Sequence, residues 1–303
     1  MATPNRGRAS TRSPRTESYR VANRERLDHD VDLIMQVTSI RSTQNPKVKN
    51  LVKLRDGHYR RRVRRYLVEG CREIRFALAH RAKLAEIYFS PEFFRDRGED
   101  AVLSRAESAG IPLFRLSREA FAKAAYRERP DGLLGLAVQH ATPLEAIELS
   151  VPPLLLIVER VEKPGNLGGL LRTADAAGCD AVIVTDPVTD IFNPNVIRAS
   201  QGAFFSVAIA VTENAPALEF LRGHDIGAFA TSPSADRGLW AADLRGAAAI
   251  VLGSEQDGLS PFWIEQADQT VAIPMSGDVD SLNISVSAAI MLFEAVRQRT
   301  ERS

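Results

Sequence analysis

Six short, almost purely apolar runs are strung along the second half of the chain: Leu154–Val158, Ala181–Thr185, Val207–Val211, Ile226–Thr231, Ala248–Leu252 and Thr270–Ile273. Helical patterns lie between most of them. A strand with one wet face alternates polar and apolar residues, whereas a continuous apolar run must be covered on both faces. Such runs alternating with helices specify a mostly parallel sheet between helix layers, an α/β architecture. Ligands of such sheets sit at the carboxyl ends of strands. Chemistry is therefore expected in the loops after Val158, Leu252 and Ile273.

A smaller α/β unit precedes this one. "RYLVEG", "LAEIYFS", "IPLFRL" and "GLLGLAVQ" read as strands, and Lys47–Arg55, Cys71–Ala79, Ala101–Ala109 and Arg118–Ala124 as helices. "HATPLEAIELSVPP" has the composition of a linker. Residues 1–35 are poor in apolar side chains and rich in Arg, Ser, Thr and Pro, a composition expected to be disordered. The expected organisation is a disordered basic tail at 1–35, a small domain at 36–140, a linker at 141–153 and the larger domain at 154–303. Structure-like patterning begins at Met35, which makes Met35 a candidate alternative start.

Several function classes are disfavoured. No apolar stretch approaches the ~18 residues of a membrane-spanning helix, and the N-terminus lacks the apolar core of a secretory signal. Cys71 and Cys179 are far apart and read as reduced cytoplasmic thiols. The five histidines form no HxxH or HExxH pattern, so no metal is expected. "GNLGG" is not G-x-G-x-x-G, and no G-x-x-x-x-G-K-[ST] occurs, which counts against a nucleotide-dependent hydrolase or oxidoreductase. Formal net charge is only +1, yet Arg and Lys crowd the stretch from Arg6 to Arg81, most densely in "HYRRRVRRYLVEGCREIR". A solvated helix face explains a short run of this kind. An excess this long points to a polyanionic partner, most simply nucleic acid.

The three loops carry the polar residues. In "ERVEKPGNLGGLLRTADAAG", Asn166 is positioned as an N-cap, and Gly168 and Arg172 share a helix face. Glycine there admits a ligand or a second chain to the backbone, beside a cation suited to a phosphate; a capped helix with one surface arginine is the plainer account. In "IVLGSEQDGLSPFWIEQA", Ser260 and Pro261 read as the N-cap and first turn of a helix, but Glu255 directly after the strand has no such explanation. In "VAIPMSGDVDSLNISVSAAIMLFEAVRQR", a helix is expected to begin near Ser281 or Asn283, and capping accounts for only one of its small polar residues.

Together, "PGNLGGLLRTA", "LGSEQDGLS" and "IPMSGDVDSLNISVSAA" resemble the three motifs of the SpoU family of RNA 2′-O-ribose methyltransferases, within the SPOUT superfamily. "IRASQGAFF" resembles a further family segment between the first two motifs. The likeness covers about residues 154–299, and residues 40–140 are similar in pattern to a substrate-binding domain of members that act on ribosomal RNA.

The resemblance implies a C-terminal α/β trefoil-knot methyltransferase domain preceded by a small α/β substrate-binding domain. It implies S-adenosylmethionine as cofactor, with Gly253, Ile273 and Leu282 around it. It places catalytic and RNA-handling roles on Asn166, Arg172, Glu255, Ser281 and Asn283. Glu159 stands where an acidic residue is usual, and Gln256 replaces a frequent glycine. RNA is the implied partner, ribosomal RNA being favoured by the extra domain. A transfer RNA substrate and a non-catalytic RNA-binding relative are the alternatives. A homodimer is implied as well, in keeping with Val286–Val296, which is apolar around much of its circumference.

Overall fold

The computed structural model describes residues 37–80, 82–140 and 143–301; the tail and Met35 lie outside the described residues. The strands are β1 Thr38–Ile40, β2 Arg65–Glu69, β3 Leu84–Phe89, β4 Leu113–Leu116, β5 Leu133–Val138, β6 Leu154–Glu159, β7 Ala181–Thr185, β8 Ala208–Thr212, β9 Gly227–Thr231, β10 Ala248–Leu252 and β11 Gln269–Val271. They form two sheets. The first is mixed, in the order β1-β4-β3-β5-β2, with β5 antiparallel to both neighbours. The second runs β11-β9-β10-β6-β7-β8 with every pair parallel.

The continuous apolar runs do what their composition demands. Leu154, Leu156 and Val158 face one core cluster, while Leu155 and Ile157 face another on the opposite side of the sheet. β7 and β10 alternate in the same way. The order of the sheet reverses between β6 and β10, so their carboxyl ends flank a topological switch point.

The two sheets are not independent bodies. One core cluster includes Tyr66, Val68 and Ile74 from the first unit together with Val196, Phe204 and Leu252 from the second. The Tyr66 ring lies 4.9 Å from Phe192 and 5.9 Å from Phe204, contacts each contributing about 0.5–1.5 kcal/mol beyond area burial. Gly202 permits a closer approach: a Cβ there would lie 2.6 Å from the Phe76 ring. Arg60 Nη2 meets Asp190 Oδ2 at 2.6 Å with both side chains largely buried, and Arg60 Nη1 donates to the carbonyls of Leu54 and Arg55. Removing one partner of such a buried pair costs about 3–5 kcal/mol, because the other charge is stranded. Arg60 thus belongs to the seam between the units. The segment expected to link them is itself docked, with Leu144 and Ile147 buried against the core around β6 and β7.

The last helix, Ile284–Thr300, starts where expected, with Asn283 as its N-cap accepting from Ser285 N–H at 2.9 Å. Arg297 and Arg299 suit its negative C-terminal end. Arg299 also donates to the carbonyls of Pro152, Pro153, Leu244 and Gly246, fastening the helix to the start of β6. No helix of the described residues is long and apolar enough to cross a membrane.

Candidate active site

Loops from the carboxyl ends of three adjacent strands, with the segment before the last helix, enclose a cleft of about 520 Å³. Its lining includes Gly253 and Glu255 after β10, Ile273 after β11, and Ser281 and Leu282 before the helix. Five of the eight expected site residues therefore meet in one place. The volume falls within the roughly 300–1,000 Å³ of small-molecule and cofactor sites. Thr231, Ser232, Pro233 and Ser234 after β9 complete the wall. Sequence reasoning missed that loop, although "TSPS" follows an apolar strand just as the other loops do.

The floor depends on an unusual approach of backbone to backbone. A Cβ built on Gly253 would lie 2.0 Å from the carbonyl carbon of Gly258. The Ser254 and Gly258 N–H groups each donate to the other's carbonyl, closing the loop, and Gly258 adopts φ +70° at that closure. Glu255 projects from this loop with Oε1 buried and without a hydrogen-bond partner, while Oε2 meets Lys163 Nζ at 2.5 Å. The hydrogen bond and charge of Glu255 hold the Lys163 ammonium above its ordinary lysine value. Lys163 is largely exposed, so solvent screens the pair and it pins the loops only weakly.

Glu159 at the end of β6 is buried and accepts from Ser260 N–H, Ser260 Oγ and Asn214 Nδ2. Trp263 Nε1 donates in turn to Asn214 Oδ1 at 2.8 Å. The acidic residue expected here thus anchors the β10 loop from beneath. Ser260 and Pro261 begin the helix Pro261–Gln266, as expected.

The first motif differs from its sequence reading in two respects. Helix Pro164–Ala177 begins with Lys163 at the N-cap position, so Asn166 lies inside the first turn and does not cap it. Proline at the first helical position moves the start upstream. Nor does Gly168 open the helix to a ligand or a second chain. A Cβ there would lie 2.4 Å from Ala199 Cβ and 2.6 Å from the Val196 carbonyl oxygen, so its role is close packing against helix Pro194–Ser200. The side chain of Asn166 instead accepts from Asn283 Nδ2 at 3.3 Å, and its carbonyl accepts from Ser285 Oγ at 3.2 Å. Ser285 sits over Gly169, where a Cβ would lie 2.8 Å from its Oγ. Asn166 and Asn283 are thereby joined beside the cleft. Arg172 is exposed on the same helix and lies outside the cleft lining.

Residues 153–293 match the model of the SpoU rRNA Methylase family, and residues 45–135 match the MRM3-like substrate binding domain. A Ralstonia nicotianae protein named 23S rRNA (guanosine-2'-O-)-methyltransferase RlmB is 37% identical over 240 residues, covering 77% of this chain and 96% of that protein. The chain belongs to the SpoU rRNA methylase family. A solved structure described as an RNA 2'-O ribose methyltransferase aligns with this SpoU chain at TM-score 0.75 and 39% identity, over 87% of this chain and all of that one. An AdoMet-bound rRNA methyltransferase from Sinorhizobium meliloti aligns at TM-score 0.79 and 27% identity, over 87% and 98%. These likenesses span both units of the SpoU protein, so the substrate-binding unit and its placement belong to the comparison.

Proposed function

We propose that the protein transfers a methyl group from S-adenosylmethionine to a ribose 2′-hydroxyl of RNA, with large-subunit ribosomal RNA as substrate. The observation that carries this reading is the convergence of Gly253, Glu255, Ile273, Ser281 and Leu282 on one cleft beside the joined Asn166 and Asn283. Gly253, Ile273 and Leu282 would hold the cofactor largely through backbone groups. When bound, S-adenosylmethionine supplies an electrophilic methyl group on a sulfonium. The unpartnered Glu255 Oε1 suits a donor from cofactor or substrate.

The ribose hydroxyl is a weak nucleophile and must lose its proton as it attacks. A guanidinium has a pKa above ~12 and is a poor base. Arg172 therefore holds the ribose-phosphate and stabilises charge developing on the 2′-oxygen, while a substrate phosphate oxygen accepts the proton. Asn166, Asn283 and Ser281 orient the ribose. The expected knot forms part of the same reading. Residues 272–283 lead from β11 at the sheet edge back to the last helix, which packs on β10 and on helix Pro164–Ala177.

Incubation with methyl-labelled S-adenosylmethionine and ribosomal RNA from cells lacking the gene tests the reaction. Label is expected in alkali-resistant dinucleotides, which only 2′-O-methylation produces. No incorporation contradicts the reading.

A homodimer completes the proposal. Val286 and Phe293 lie seven residues apart on one face of the last helix and are each 47% exposed. A second copy covering this stripe would take both side chains out of water. The Phe293→Asp variant is expected to run at monomer mass by light scattering and the native chain at twice that mass. A monomeric native chain contradicts the dimer.

A further inference from the structure

A second cleft, of about 600 Å³, lies in the seam between the two units. Arg72, Arg75, Arg97 and Arg127 line it from the first unit, and Arg198 and Gln201 from the second. Two carboxylates also line it, Glu73 and Asp131, and both are engaged by Arg127, at 3.0 and 3.7 Å. Arg72 Nη1 donates to Gln201 Oε1 across the seam at 2.8 Å. Among the described residues, Arg75, Arg97 and Arg198 have no carboxylate partner. Burial raises the pKa of the lining thiol, Cys71, which adds no anion to offset them.

Five arginines against two carboxylates leave the cleft lining with a net positive formal charge. A protein gains no stability from holding unpaired like charges together, so the arrangement calls for an external anion. Its position indicates which. Arg198 and Gln201 belong to "IRASQGAFF", the segment to which the catalytic scheme assigns nothing. Arg198 directly precedes Ala199, the residue against which Gly168 packs, and Arg172 lies one helical turn beyond Gly168. The cationic cleft therefore spans the seam from the methyltransferase unit onto the substrate-binding unit.

We infer that this interdomain cleft binds the phosphodiester backbone of the RNA flanking the methylated nucleotide, through Arg75, Arg97 and Arg198. The inference rests on the proposed reaction, and the cleft sets how tightly and in what register the substrate is presented. Arg127 and Arg72 serve the seam itself and are left intact in the test.

The experiment compares the full-length chain with an Arg75→Gln/Arg97→Gln/Arg198→Gln variant, and with the matching triple lysine variant. Fluorescence anisotropy with a labelled 30-nucleotide single-stranded RNA is read across salt concentrations. Each lost phosphate contact lowers the slope of log affinity against log salt by about 0.7, so the glutamine variant should lose about 2. In methyl transfer to ribosomal RNA its KM should rise at least tenfold with kcat and S-adenosylmethionine affinity held, and lysine should restore most of the loss. A glutamine variant with native salt slope and KM overturns the cleft. Absence of methyl transfer by the native chain overturns the reaction instead, and the anisotropy arm still decides the cleft.

Discussion

Arg172→Ala should bind S-adenosylmethionine with native affinity and lose at least ~100-fold in methyl transfer, the usual scale for one preorganised electrostatic donor. Arg172 is exposed, and among the described residues no hydrogen bond or ion pair holds it, so its removal leaves no buried group unsatisfied. The loss should therefore appear in kcat and not in the melting temperature. Isothermal titration with the cofactor and single-turnover transfer to ribosomal RNA separate the two. A variant with near-native turnover removes Arg172 from the chemistry.

Gly253→Ala should have the opposite signature. Its new methyl group would lie 2.0–2.2 Å from the backbone of Gly258 and Leu259, well inside contact distance, and backbone cannot swing aside as a long side chain does. The loop from Ser254 to Gly258 must open, which takes Glu255 and the cleft floor with it. Overpacking of this kind costs about 1–3 kcal/mol, so cofactor affinity should fall about tenfold or more. Gly258→Ala is the comparison. Space is open there and only the positive φ opposes a side chain, a cost of about 1–2 kcal/mol with no steric clash. Calorimetric titration should therefore show a deeper loss of cofactor binding for Gly253→Ala than for Gly258→Ala. Equal affinities would detach the cleft from this loop.

What the sequence disclosed depended on how strongly burial constrained each piece. Ala181–Thr185 and Ala248–Leu252 were legible to the residue, because central strands covered on both faces are apolar from end to end. Edge and near-edge strands blurred: Val207–Val211 became Ala208–Thr212, and Thr270–Ile273 became Gln269–Val271, where one face or one end is open and side chains carry less information. β1 is too short for any periodicity to register. Helix Gly57–Val63 was hidden inside what read as a basic stretch, since its one buried side chain is Arg60, a charge that only its partner Asp190 explains.

The candidate site divided along similar lines. The residues gathered at the cleft were legible as motifs following strands, because the carboxyl-edge rule says where to look. Glycines were ambiguous. Each signals a close approach, but the sequence does not say to what: Gly168 meets a neighbouring helix, Gly253 its own loop and Gly169 the Ser285 hydroxyl. Ser285 itself had no clear role until the helix was seen to start at Ile284, which puts its hydroxyl on the Asn166 carbonyl. The arginine cleft was illegible because Arg198 is more than 100 residues distant in sequence from Arg72, Arg75 and Arg97, and only the packed seam brings them together.

Methylation of a ribose in ribosomal RNA is the reaction expected of this chain in the cell. Mapping 2′-O-methyl positions in ribosomal RNA from cells with and without the gene tests it most directly. A ribose methylation is expected to vanish on deletion, to return with the native gene, and to stay absent with Arg172→Ala. Identical methylation maps with and without the gene contradict that expectation.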